Sequence, residues 1–166
     1  MAAGQNVGMA QGALDFRPVP LDQDPARAMV VAMRDEIASI YAGVVLDGPE
    51  MPKAGPRELG PPGGVFLVGF DSEGVAVCGG GVKDLGDSRC EIKRMYVVPE
   101  ARRRGYAREL LVALEDAARE RGYEIARLDT GPRQPSSERM YREAGYQEIA
   151  NFNGNPVASF FGEKPL

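Results

Sequence analysis

The segment Val97-Val98-Pro99-Glu100-Ala101-Arg102-Arg103-Arg104-Gly105-Tyr106-Ala107 holds the residues best suited to chemistry. It joins an apolar, strand-like run to the most regular amphipathic helix of the chain. A helix N-terminus presents unpaired backbone N–H groups and a partial positive charge to an anion. Gly105 lacks a Cβ and Ala107 carries the smallest one, so phosphate oxygens can come close to this backbone. Arg102, Arg103 and Arg104 add charge-assisted donors around the same point. The competing reading of the same residues is a solvated basic turn ahead of a helix. The loop is not the G-x-x-x-x-G-K-[ST] of nucleotide triphosphatases, and no G-x-G-x-x-G follows a strand.

The rest of the composition narrows the chemistry by exclusion. Among 166 residues there is no histidine, which removes Ser-His-Asp and Cys-His catalysis and histidine metal sites together. Two cysteines, Cys78 and Cys90, are too few for a disulfide framework or a four-cysteine metal site. Each sits in an apolar strand-like stretch, as a small buried hydrophobe does, with a redox or nucleophilic role as the alternative. No metal is expected. Lys+Arg 20 against Asp+Glu 24 gives a net charge of −4, which argues against nucleic acid as a partner. With 43% apolar and 27% charged residues the chain reads as an ordinary globular protein. It has no apolar run long enough to span a membrane. Residues 1–13 lack the basic and apolar regions of a signal peptide and read as a flexible leader before a single domain over 14–166. A reduced, cytoplasmic protein is the expectation.

The elements that must position the Arg102–Ala107 loop follow from periodicity. A first strand is expected over Leu14–Pro20. A helix opens at Asp24-Pro25, with Asp as N-cap, carries Met29, Met33, Ile37, Ile40 and Tyr41 on one face, and stops at Gly43. Residues 47–64, rich in Pro and Gly, form a long loop with at most one helical turn near Arg57–Leu59. Val65–Phe70, Val75–Leu85 and Cys90–Val98 make an antiparallel meander. Gly79-Gly80-Gly81 within it marks a bulge or a close approach rather than a phosphate cradle. The helix after the arginine loop buries Ala107, Leu110, Leu111, Leu114, Ala117 and Ala118. A strand over Ile125–Leu128, a short helix over Pro135–Ala144, and strands at Tyr146–Ile149 and Val157–Phe161 complete the order. The fold class is α/β (α+β), with a mixed, mostly antiparallel sheet of about six to seven strands flanked by about four helices.

With these elements in place, the sequence resembles the GNAT superfamily of acetyl-CoA-dependent N-acetyltransferases. Three segments carry the resemblance. Arg102-Arg103-Arg104-Gly105-Tyr106-Ala107 matches the cofactor signature [Q/R]-x-x-G-x-[G/A]. Glu91-Ile92-Lys93-Arg94-Met95-Tyr96-Val97 is similar to the family's central strand. Gln134 through Tyr146 is similar to its second motif, N-x-x-A-x-x-x-Y-x-x-x-G-[F/Y]. The resemblance covers about residues 14–164 and implies the following assignments. The backbone of Met95, Tyr96 and Val97 pairs with the pantetheine arm, and the Val97 amide is the oxyanion donor. Arg102, Arg103, Arg104, Gly105, Tyr106 and Ala107 hold the pyrophosphate, with Arg108 assisting. Gln134, in place of the family's Asn, contacts the cofactor, beside Ser137 in place of Ala. Tyr141 protonates the departing thiolate; its competing reading is a core anchor with a wet tip.

Acetyl transfer to an amine needs a deprotonated nitrogen, and without histidine the base must be a carboxylate, a tyrosinate or a water relay. Glu91 corresponds by its offset to the general-base glutamate of the family's histone-acetylating branch; the competing reading pairs it with Lys93 or Arg94 on a solvated face. The resemblance implies an enzyme that moves an acetyl group from acetyl-CoA to a primary amine by direct attack. A CoA-binding regulatory module without turnover is the alternative, and an RNA-binding domain is disfavoured by the negative charge. The resemblance also implies that the first helix, the long loop and the last hairpin shape the acceptor surface, here about residues 29–43, 47–64 and 151–159, and their composition does not name the amine. A homodimer is an expectation by analogy with the family alone.

Overall fold

A computed structural model of the chain describes residues 14–166; the leader expected over 1–13 lies outside the described residues. Seven strands form one sheet: β1 (Asp15–Pro18), β2 (Val65–Phe70), β3 (Ala76–Gly86), β4 (Arg89–Val97), β5 (Ile125–Thr130), β6 (Gln147–Glu148) and β7 (Phe160–Pro165). Three α-helices accompany them: α1 (Ala26–Ile40), α2 (Tyr106–Glu120) and α3 (Pro135–Glu143). The strand order is β1-β2-β3-β4-β5-β7-β6. All neighbours are antiparallel except β4 and β5. The helix count is one below the expected four: the described residues hold α1, α2 and α3, and a 3₁₀ turn at Pro99–Ala101. The turn near Arg57–Leu59, closed by the Leu59 N–H on the Gly55 carbonyl at 3.0 Å, does not propagate into a helix.

The sheet buries apolar side chains on both faces, which β2 shows most directly. Val65 and Leu67 join the core under α2 and α3, with Leu110, Leu114, Leu128 and Phe160. Phe66 and Val68 point the other way, into a second core with Met29, Val30, Ala54 and Leu59. Alternation along a strand sends successive residues to opposite faces, so a continuous apolar run is what a strand covered on both sides requires. The consecutive glycines Gly79, Gly80 and Gly81 of β3 let neighbours close in. A Cβ on Gly80 would stand 2.9 Å from Leu114 Cδ1, and one on Gly81 would stand 2.9 Å from Leu59 Cδ1. The first contact lets α2 sit close to the sheet; the second lets the Pro/Gly loop anchor through Leu59. The expected close-approach role of this triplet is what the packing requires.

Helix α1 divides along its length. Met29 and Met33, in its first half, are buried, whereas Ile37, Ile40 and Tyr41 are only half-buried and line the open cleft described below. Asp24 does not cap it: Pro25 occupies the N-cap position and the Asp24 carboxylate pairs with Arg27 at 3.0 Å. At the other end the Gly43 N–H reaches back to the Ala38 carbonyl at 3.0 Å, with Ala42 and Gly43 both in the left-handed region.

Candidate active site

The site begins with a fault in the sheet. β4 and β5 pair in parallel only over Arg89–Glu91 and Ile125–Arg127. Beyond that they diverge, and among the described residues the second half of β4 has no strand neighbour on the β5 side. A bulge accompanies the divergence. Gly79 faces Tyr96 and Gly81 faces Lys93, so Arg94 and Met95 oppose the single residue Gly80. Arg94 takes a φ of 59° to accommodate the extra residue, a conformation that L-residues other than Asn and Asp seldom adopt. Bulges bend a strand and redirect its side chains, and here the result is a cleft of about 740 Å³ between α1, the Pro/Gly loop, β4, β5 and α3.

At one end of the cleft the backbone is short of acceptors. Gly105, at φ 80°, precedes α2, and a Cβ there would meet nothing within 4 Å. None of the amides from Arg103 to Arg108 has a backbone acceptor among the described residues; the first to find one is Glu109, on the Gly105 carbonyl at 3.2 Å. The Val98 amide bonds to the Val77 carbonyl at 2.9 Å on β3. Alternation therefore turns the Val97 amide to the open edge of β4.

The residues singled out from the sequence separate into groups. Met95, Tyr96, Val97, Arg102, Arg103, Ala107, Gln134, Ser137 and Tyr141 all line the cleft. Arg104, Gly105, Tyr106, Arg108 and Glu91 do not. Arg108 is paired with Glu143 on the surface. Arg102 is turned to α1: it pairs with Glu36 at 2.6 Å, donates to the Val97 carbonyl at 3.0 Å and lies over the Tyr96 ring. The bond to Glu36 holds its guanidinium charge even more firmly than usual. Gln134 accepts a bond from the Tyr41 hydroxyl at 3.2 Å, tying the start of α3 to the end of α1.

Tyr141 is buried on α3, and its hydroxyl lies 3.6 Å from Met95 Sδ. Burial first, and the negative Asp129 second, push its pKa well above the usual tyrosine value. Its hydroxyl is therefore a phenol throughout the neutral range. Glu91 is fully buried rather than solvated: Lys93 Nζ stands 2.9 Å from its Oε1, Asn153 Nδ2 donates to the same oxygen at 2.8 Å, and Oε2 has no partner among the described residues. The pairing with Lys93 belongs to the competing sequence reading, but the face on which it occurs is dry.

Two carboxylates line the cleft among the described residues: Glu36, which is paired with Arg102, and Asp129, one residue beyond the strand expected over Ile125–Leu128. Asn153 and Asn155 both donate to Asp129 Oδ2, at 2.7 and 3.0 Å, and Lys93 Nζ lies 3.8 Å from it. Asp129 Oδ1 has no hydrogen bond among the described residues and is not among their fully buried unpaired atoms, so it is open on the side where Asp129 lines the cleft. The signal in the sequence was alternation. Ala126, Leu128 and Thr130 are buried on one face of β5, which puts Arg127 and Asp129 on the other. Cys78 and Cys90 are wholly buried, and burial raises each thiol to about 12. Neither is a nucleophile at neutral pH.

Residues 30–146 match the sequence profile of the Acetyltransferase (GNAT) family, more than half of the chain. The chain belongs to the GNAT acetyltransferase family. An "IAA acetyltransferase" of Azospirillum brasilense is 38% identical over 103 residues, 61% of this chain and 67% of that protein. Across the curated relatives matched, the chain spans between 54% and 67% of their length. A GNAT-family acetyltransferase structure from Staphylococcus aureus superposes with a TM-score of 0.73 at 16% identity, covering 92% of this chain and 99% of that one. A phosphinothricin acetyltransferase from Sinorhizobium meliloti, solved in complex with acetyl-CoA, superposes at 0.62 and 19% identity over 93% of this chain and 89% of that one. At these identities the structural likeness establishes the fold. The GNAT chain is an acyltransferase of this family.

Proposed function

We propose that this GNAT protein transfers the acetyl group of acetyl-CoA to a primary amine by direct attack. The observation that carries the reading is the continuity of the unpaired edge of β4 with the acceptor-less amides of Arg103–Arg108. An edge strand offers hydrogen bonds to an extended amide-bearing chain, and a helix N-terminus offers them to an anion. Pantetheine and pyrophosphate are joined in that order in CoA. The Met95–Val97 edge, the amides of Arg103 to Ala107 and the Arg103 side chain are the groups that fit it, with Ser137 and Gln134 along the α3 wall. Arg102 acts at one remove, by bracing α1 against the loop through Glu36. Bound acetyl-CoA supplies the acetyl group as an activated thioester.

The chain's own residues then divide the proton work. An ammonium has no free electron pair, so the amine must first lose a proton. Asp129 Oδ1, open to the cleft, accepts it. Glu91 and Lys93 hold Asp129 in place from behind, and the two asparagines occupy its other oxygen. The Val97 amide faces the edge where negative charge develops on the carbonyl oxygen. Tyr141 gives its proton to the departing thiolate. Burial keeps Tyr141 protonated through the neutral range, so the proton is there to give.

The test is thermal unfolding with acetyl-CoA, ADP, NAD and a short RNA, followed by thiol release over an amine panel. A ligand at a hundred times its Kd stabilises by about 2.7 kcal/mol, a rise of roughly 5–10 °C for a domain of this size. A rise selective for acetyl-CoA together with amine-dependent thiol release supports the reading. A rise without release in any amine favours a regulatory CoA-binding module, and no rise overturns the cofactor assignment.

A further inference from the structure

Arg94 is the residue of the cleft that the acetyl-transfer reading leaves unexplained. Its side chain is only 6% exposed, and burial lowers its pKa from the usual guanidinium value. A buried guanidinium has five N–H donors to satisfy and normally finds close, planar acceptors for them. Arg94 finds two, both long: Nε to the Ala54 carbonyl at 3.5 Å and Nη2 to Asp47 Oδ1 at 3.3 Å. Asp47 is itself half-exposed and nearer to another arginine, Arg34, at 2.8 Å. Nη1 has no hydrogen bond among the described residues, and it is not among the fully buried unpaired atoms, so it opens onto the cleft. The strained φ of 59° at this position belongs to the bulge that aims the side chain into that space.

The surroundings restrict what could complete the set. Val44, Leu46, Met51 and Pro52 of the loop line the same cleft as Arg94, and so do Met33 and Ile37 of α1. Asp129 lines it too, with its Oδ1 open. Arg94 and Asp129, each with an unused polar atom, thus line one cleft and lie close enough for the Asp129 charge to act on Arg94.

We propose that Arg94 is the anion subsite of the acceptor, and that the acceptor is an amine carrying a carboxylate and an apolar body, as in an apolar amino acid. The proposal rests on the acetyl-transfer reading. The carboxylate takes the donors of Arg94 that Asp47 and Ala54 satisfy poorly, the apolar body lies on the apolar loop residues, and the nitrogen is held at Asp129. A simple alkylamine would leave the guanidinium as undersatisfied as before.

The experiment compares matched acceptors on the full chain, following thiol release from acetyl-CoA. The pairs are leucine with 3-methylbutylamine, methionine with 3-(methylthio)propylamine, and phenylalanine with phenethylamine. The carboxylated member of at least one pair is expected to have a kcat/KM about tenfold or more above its partner. Arg94→Met is expected to erase that advantage by raising KM for the amino acid, while the alkylamine and the thermal shift with acetyl-CoA are unchanged. Arg94→Lys should restore part of it. Asp47→Asn, at a half-exposed position, removes a competing anion and should lower KM for the amino acid. The proposal is overturned if the alkylamines match or exceed their carboxylated partners. It also falls if Arg94→Met and Arg94→Lys weaken both members equally alongside a lower Tm, as a loop anchor would. A wild-type chain with no acetyl-CoA shift removes the acetyl-transfer reading itself, and this proposal with it. A normal shift without a carboxylate preference overturns the subsite alone.

Discussion

Asp129 and Glu91 lie on adjacent strands around one lysine, yet substitution at the two should read out in different ways. Asp129→Asn keeps the shape and the amide contacts of Asn153 and Asn155 but loses the open carboxylate oxygen. It should lower kcat/KM by about a hundredfold, the usual scale of one general base, with little change in Tm. Glu91→Gln instead leaves the buried Lys93 ammonium without its near partner. Breaking one side of a buried pair costs about 3 kcal/mol, so Tm should fall while the pH–rate profile keeps its shape. A shifted profile in Glu91→Gln, and a normal rate in Asp129→Asn, would return the base to Glu91. Tyr141→Phe should reduce kcat by about a hundredfold with acetyl-CoA affinity nearly intact. Because the Tyr141 pKa is raised, the parent enzyme should show no alkaline loss of rate from this group below pH 10. Equal kcat in variant and parent would make Tyr141 a core anchor only.

The elements place these groups, and the loop between β4 and α2 tests that placement most sharply. Gly105 holds φ 80° in front of open space. Gly105→Val should cost about 1–2 kcal/mol through backbone strain, leaving the fold intact, while its side chain fills the approach to the free amides. Calorimetry should find acetyl-CoA binding lost; unchanged affinity would sink the loop assignment. This loop was legible in the sequence because it is local: a strand, a proline, three arginines, a glycine and a helix, all contiguous. The meander and α2 were legible for the same reason, since periods of 2 and 3.6 are local signals. The cleft was not. It depends on β4 and β5 pairing over three residues and then parting, and on a bulge at Arg94 that no pattern in Lys93-Arg94-Met95 announces. Asp129 lies one residue past the strand that periodicity marks at Ile125–Leu128; the alternation continued to Thr130 puts it on the face of Arg127, opposite Leu128. Arg102 was legible as a cation but not as the partner of Glu36, which is 66 positions away. Register and long-range pairing are set by tertiary packing, and the sequence pattern is silent about both.

Over the whole molecule, the buried acids of the core under α2 and α3 set a pH limit on stability. Burial raises Cys78, Cys90 and Tyr123 to about 12, and it raises Tyr141 and Tyr146 as well. Each group keeps its proton in the folded state at a pH where the unfolded chain releases it. The unfolded state therefore binds fewer protons above about pH 8.5, and stability must fall as pH rises. The full contribution is present below the unfolded pKa values and is lost towards 12. The thiols titrate first in the unfolded chain, so between pH 9 and 10.5 Cys78 and Cys90 dominate, each contributing up to about 1.4 kcal/mol per pH unit. Urea unfolding of the parent and of Cys78→Ala/Cys90→Ala separates this from packing. The double variant loses stability at every pH through the two small cavities, but its slope between pH 9 and 10.5 should be much shallower. Parallel slopes in parent and variant would mean that the thiols are not held protonated by the core. A parent whose stability is flat to pH 10.5 would contradict the burial of both cysteines beneath the sheet on which the cleft is built.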